Sequence, residues 1–240
     1  MKTNFVEFAM VTLCGTFVAC NAYAFKPRLY LFPEQVACAD RIIVGNGSLL
    51  SSKIHISVRE YLKGAGANEL DVQYDCVRQR DRPVLKDQER VVLFLCERNE
   101  GGVKLLGYGD QAIWPKTHAK WPFVNPHICN EQDIIVATTN ILNVESEPIT
   151  ENKIIRLRQM LASDKLFVRT VAVEYIDLQV NKGWMVQMEQ DVRALLSREC
   201  DEYLILLGTS VVDKIKRLKS TDNKNSIKNS GVRVNSSARE

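Results

Sequence analysis

The feature that most constrains this fold is a change of hydrophobic period along the chain, from two residues in the first half to between three and four in the second. The clearest stretch is SKIHISVREYL (52–62), where Ile54, Ile56 and Val58 alternate with His55, Ser57 and Arg59. Such alternation puts one set of side chains on a buried sheet face and the other in water. Around it lie RIIVGNGSLL (41–50), ELDVQYDCV (69–77), RVVLFLCER (90–98) and GVKLLGYGDQAIWPK (102–116), separated by the turn signals LKGAGA, RQRDRPVLKDQE and NEGG. Five strands with no long helical pattern between them predict a small antiparallel barrel or sandwich. Ahead of them, FPEQVACAD predicts a helical turn with Pro33 near its first position.

Residues 117–149 read as a connection. Pro115, Pro122, Pro126 and Pro148 break any long helix across it, and DIIVATTNIL (133–142) fits either one more strand or a short helix. From Thr150 the period is helical. TENKIIRLRQMLAS has Thr150 as a cap and Ile154, Ile155, Leu157 and Leu161 as a stripe; SDKLFVRTVAVEYIDLQVNKG follows, capped by Ser163 or Asp164 and stopped at Asn181-Lys182-Gly183. WMVQMEQDVRALLSREC and DEYLILLGTSVVDKIKRLK give a third and a fourth helix, each with one face to bury. The expected fold is therefore α+β, with a barrel domain over 25–116 and a bundle of about four helices over 150–218. The segment 219–240 has almost no apolar residues and is expected to be a disordered tail.

The segments CADRIIVGNG, ISVREYLKG and ERVVLFLCERNEGGVKLLGYGDQAIW together resemble the netrin-module superfamily, which includes the tissue inhibitors of metalloproteinases. The resemblance covers about residues 36–116 and implies a five-stranded antiparallel barrel of OB type. In the metalloproteinase inhibitors the mature chain begins with a cysteine that reaches the protease zinc; this chain departs from that pattern, and inhibition by that route is unsupported. The stretches LASDKLFVRTVAVEYIDL and DVRALLSRECDEYLILL resemble HEAT-like repeats, with ordinary four-helix packing as the alternative.

Residues 1–24 have the anatomy of a secretory signal: Lys2, an apolar run from Phe8 to Cys20, then the small-x-small site Ala22-Tyr23-Ala24. Cleavage there starts the mature protein at Phe25 and makes it exported, periplasmic or secreted. A lipid anchor on Cys20 is the alternative, with Phe17 where such a site favours an aliphatic residue. No later segment has the length of apolar sequence that spans a bilayer. Of seven cysteines, Cys14 and Cys20 leave with the signal. An oxidising compartment permits disulfides, and Cys38, Cys76, Cys96 and Cys129 are the candidates, Cys38 to Cys129 first because it would tie the segment before the barrel to the one after it. Cys200 is expected to be a buried thiol. The whole chain carries a net charge of +3, which resides in the tail, so the folded body is near neutral and no broad footprint for nucleic acid is expected.

Candidate chemistry is sparse. His118, His127 and Cys129 in THAKWPFVNPHIC offer three metal ligands from one loop at a spacing that matches no common zinc signature. His55 falls on the polar side of its strand. Arg78, Arg80, Arg82, Lys86 and Arg90 cluster between the third and fourth strands, interleaved with Asp75, Asp81, Asp87 and Glu89. Trp114, Trp121 and Phe123 are expected to pack the barrel onto the helices, with a binding ledge as the alternative. The sequence holds no nucleophile elbow, phosphate loop or HExxH pattern. It therefore points to a non-enzymatic binding or adaptor module without a cofactor, whose partner is a protein or an envelope component; a metal-dependent hydrolase built on His118, His127 and Cys129 is the alternative.

Overall fold

The structure, a computed structural model, describes residues 30–74, 83–99, 101–107, 112–114 and 129–230. The expected signal segment, Cys76, the arginines at 78, 80 and 82, Trp121, Phe123, His118 and His127 lie outside the described residues, as does the chain beyond 230.

The strands are β1 (Arg41–Leu49), β2 (Lys53–Lys63), β3 (Glu69–Gln73), β4 (Glu89–Glu97), β5 (Val103–Leu105) and β6 (Ile113–Trp114). The helices are α1 (Phe32–Cys38), α2 (Glu131–Ser146), α3 (Thr150–Leu161), α4 (Leu166–Gln179), α5 (Glu189–Leu196) and α6 (Glu202–Ser230), with a 3₁₀ helix over Gly183–Met188. β1 to β5 run in the order β1-β2-β3-β5-β4, and β4 pairs back with β1, so the sheet closes on itself. The fold is α+β with a closed five-stranded barrel.

Two expectations need correction. The barrel is mixed, because β3 and β5 run parallel through Val72 opposite Val103, while the other described pairings are antiparallel. Parallel pairing is a product of closure: β3 and β5 are separated by β4 in sequence and meet only once the sheet has curled round. Six α-helices are present among the described residues rather than about four. The added ones are α1, which lengthens the expected turn, and α2, which fills part of the supposed connection. α2 starts where Asn130 Oδ1 accepts from the Asp133 N–H at 2.9 Å and Asp133 returns the bond to the Asn130 N–H at 3.3 Å, a reciprocal cap that satisfies two otherwise orphaned donors. α6 also continues to Ser230, past the Lys219 boundary expected for a disordered tail.

Long strands and irregular pairing close the barrel. β2 has 11 residues, and its register against β1 slips twice, between Ile42 and Ile43 and between Val44 and Gly45; each slip sharpens the local twist. At the second slip a Cβ on Gly45 would sit 2.5 Å from the Ser57 carbonyl oxygen and 2.9 Å from Ile56 Cγ2. Only glycine lets β1 and β2 come this close. The LKG turn after β2 uses Gly64 at a φ of +76°, a conformation side-chain-bearing residues rarely adopt.

β4 reads VVLFL because it is covered on both faces. Val91, Val92, Leu93, Phe94 and Leu95 are all buried. In register, Leu93 and Val91 face the same way as Ile43 and Gly45 of β1, while Phe94 and Val92 share the other face with Ile42 and Val44. Phe94 meets Phe32 of α1 edge-on at 5.5 Å between ring centroids, so that second face is the one the helices cover. β2 and β3 keep one face in water, which is why their sequence alternates.

The apolar core runs without interruption from the barrel into the helices. α1 and α2 are the connecting pieces: α1 packs on β4, α2 and α4, and α2 packs on β4 and β2. Phe32 stacks edge-on against Phe94, Trp114 and Phe167 with centroids 5.0–5.5 Å apart. Trp114 therefore does pack barrel to helices. At the far end of α1, Lys63 Nζ donates to the Val36 and Ala37 carbonyls at 3.1 Å each. Beyond the seam, α3 packs on α4 and α5 on α6; α3 also meets α5, and α4 meets α6. In α3 the buried set is Ile154, Leu157, Met160 and Leu161, with Ile155 turned to solvent.

Candidate functional site

Two places concentrate polar chemistry among the described residues. The first is the water-facing side of β2 and β3. Strand pairing sets His55 directly opposite Asp71 and Ser57 opposite Glu69. His55 Nδ1 lies 3.0 Å from Asp71 Oδ1, and its Nε2 lies 3.9 Å from Glu69. Lys53 Nζ forms an ion pair with the other Asp71 oxygen. Hydrogen bonds from Lys53, and then from His55, hold the Asp71 carboxyl below its ordinary pKa. Arg98 extends this surface by donating to Gln73 at the end of β3. The result is an exposed array of alternating charge held by strand pairing. It matches the expected polar face of the strand and gives His55 two carboxylate neighbours that spacing within one strand does not reveal.

The second place is buried, at the seam between barrel and helices. Gln35 of α1, 3% exposed, accepts from Trp114 Nε1 at 2.9 Å and donates to the Tyr30 carbonyl at 3.1 Å. Both ends of its amide are satisfied. Nearby, Glu174 of α4 is 6% exposed. The Tyr203 hydroxyl of α6 donates to its Oε1 at 3.3 Å. Its Oε2 is buried with no hydrogen-bond partner. Burial pushes the Glu174 pKa up to about 7, against the opposing effects of Tyr203 and the Phe32 backbone, with the charges of Asp177 and Glu34 adding to the rise. One residue along, the Tyr175 hydroxyl donates to Glu145 of α2 at 2.8 Å, and burial raises the tyrosine pKa.

The candidates from sequence are dispersed. Cys38 is exposed at the end of α1, Cys129 is buried just before α2, and no disulfide joins them. Cys96 is half-buried on β4, its thiol 3.8 Å from the Lys104 carbonyl oxygen. Cys200 is exposed in the loop before α6 rather than buried, because α5 ends at Leu196 and the apolar pattern of DVRALL stops short of it. Of the basic cluster, Arg90 pairs with Glu131 at the start of α2 at 2.5 Å, which ties barrel to helix, and Lys86 is exposed. Asp87 and Glu89 fasten the turn before β4: Ser48 Oγ donates to Asp87 at 2.5 Å and the Lys86 N–H to Glu89 at 2.7 Å. Among the described residues no group of three or more His, Cys, Asp or Glu side chains is arranged to hold a metal. No described helix is long and apolar enough to cross a membrane.

Glu174 escaped the sequence reading, yet a signal was present. In LFVRTVAVEYIDLQ the buried positions include Phe167 and Val171, and Glu174 falls seven residues after the first, on the same helical face. A carboxylate inside an apolar stripe is the mark of a buried charge. No family model, curated protein or solved structure matches this chain.

Proposed function

We propose that the chain is an exported binding or adaptor module, in which an OB-type barrel presents the outer face of β2 and β3 to a partner and the helices form a second, repeat-like layer. The observation that carries this reading is the ordered charge array Lys53, His55, Asp71 and Glu69 on a solvent-facing sheet. Barrels of the OB type recognise ligands on this pair of strands, and the strand order β1-β2-β3-β5-β4 with closure onto β1 supports that assignment. It also accords with the netrin-module resemblance, which concerns architecture; the zinc-directed N-terminus of the metalloproteinase inhibitors forms no part of the proposal. The contacts of α3 with α5 and of α4 with α6 support a HEAT-like reading, since two helical pairs then stack in chain order. An alternating charge pattern favours a protein or envelope partner of complementary pattern over a polyanion, which would select a surface of one sign.

Photo-crosslinking from Ser57, at the centre of the face, tests the proposal in the full chain within its exporting host. A discrete adduct that disappears when Asp71 is changed to lysine is expected. Adducts from Ile155 on α3 with none from Ser57 would move the partner surface to the helices. Zinc found in stoichiometric amount in the purified protein, and lost on replacing His118, would favour the hydrolase reading instead.

A further inference from the structure

β3 is paired unequally on its two sides. β2 runs alongside all of it, from Lys53 opposite Gln73 to Ser57 opposite Glu69, whereas among the described residues β5 meets it only at Val72 and Gln73. The turn between β4 and β5 is the reason. Parallel register would set Gly102 beside Asp71 and Gly101 beside Leu70, but the turn closes on β4 instead: the Gly101 N–H donates to the Arg98 carbonyl at 3.0 Å and the Arg98 N–H to the Gly102 carbonyl at 3.2 Å. A Cβ built on either glycine would meet no atom within 4 Å, so this turn stands clear of β3.

The backbone on that side has groups to offer. The Val58 N–H donates to the Asn68 carbonyl at 2.7 Å. Bonding alternates along an antiparallel pair, so the N–H and C=O of Glu69 are directed away from β2, toward the side that β5 leaves uncovered. Edge groups of this kind are a template for another strand. We propose that this half of β3 takes up an extended segment of a partner protein as an added strand, with basic residues beside Glu69 and Asp71 and an apolar residue beside Leu70. The inference rests on the reading of the β2 and β3 face as the partner surface and names the chemistry of what binds there.

Charge and burial select the occupant. Residues side by side on neighbouring strands share a face, so an added strand meets the exposed Glu69 and Asp71 on the outer side and the half-buried Leu70 on the inner one. Lys53 and His55, which face the two acids, both come from β2. Lysine or arginine in the added strand completes the pairing from the other side. A second copy pairing edge to edge in antiparallel register would bring Glu69 and Asp71 against the same two acids, and like charges directly opposite are destabilising.

A fluorescent peptide of alternating valine and arginine, added to the full chain, is the probe. Saturable binding is expected, with hydrogen exchange at the Glu69 amide slowed about tenfold or more at saturation. Glu69→Pro removes the outward N–H, which makes no bond to β2, and is expected to weaken binding about tenfold. Glu69→Lys is expected to weaken it by a similar factor and to admit a valine and glutamate peptide that the unaltered chain rejects. No binding of the arginine peptide, binding that leaves Glu69 exchange unchanged, or binding indifferent to Glu69→Lys overturns the proposal. So does a dimer of the unaltered chain that Glu69→Pro dissociates, or a Glu69 amide protected in the free protein and released when the chain is ended at Ser230. Crosslinks from Ser57 that persist in the host while the peptide fails to bind would overturn strand addition and leave the face as a partner surface.

Discussion

The barrel interior and the barrel-helix seam are both buried, but by different chemistry. Inside the barrel, Ile43, Leu93, Ile54 and Ile56 are buried, with Ile56 against Gly45, and among the described strand residues no polar side chain is buried. At the seam, the same apolar core admits Gln35 and Glu174. Gln35 has a partner at each end, whereas Glu174 leaves one oxygen bare. An interior of this kind is specified by shape and space, and a seam by polar matching as well. The seam is therefore where solution conditions gain a hold on the structure.

Substitutions ordered by expected effect can break or sharpen this contrast. Trp114→Ala removes both the ring that Phe32 packs on and the donor to Gln35, and is expected to cost about 3–5 kcal/mol in chemical denaturation. Gly45→Val places a branched side chain where a single Cβ already meets the Ser57 oxygen at 2.5 Å; a loss of about 3 kcal/mol, insensitive to pH, is expected from urea unfolding. Glu174→Gln is expected to do the opposite at alkaline pH, raising stability by about 2–3 kcal/mol at about pH 8 and by little below about pH 4.5, since the buried charge exists only where the carboxyl ionises. Its effect should thus change with pH while that of Gly45→Val does not. Asp71→Asn on the exposed face is expected to leave stability almost unchanged in urea unfolding, with any small loss confined to pH values above the Asp71 pKa. A large effect there would mean that the outer face is structural.

How much was legible in the sequence follows the same division. The strands were readable because alternation in KIHIS and the continuous run VVLFL report how many faces of each strand are covered. The parallel β3-β5 pairing was not, since it depends on closure between distant segments. α2 was hidden by the β-branched residues of DIIVATTNIL and by flanking prolines, although the Asn130-Asp133 cap stood in the sequence. WMVQMEQDVRALL reads as one helix but divides at Met188, where the 3₁₀ turn gives way to α5. Gln35 and Glu174 were missed because polar residues in apolar stripes usually lie at the margin of the buried face. Only the packing of α1 between β4 and α4 puts these two inside. His55 was placed on its proper face, while its contacts with Asp71 and Glu69 depend on strand register.

The central claim is that barrel and helices form one continuous core joined through α1 and α2. Urea-dependent hydrogen exchange, followed together in β4 and α4 of the full chain, tests it most directly. Barrel and helix amides are predicted to lose their slowest protection at the same urea concentration, and to separate into two transitions once Trp114 is replaced by alanine. Two separate transitions in the unaltered protein would contradict the account.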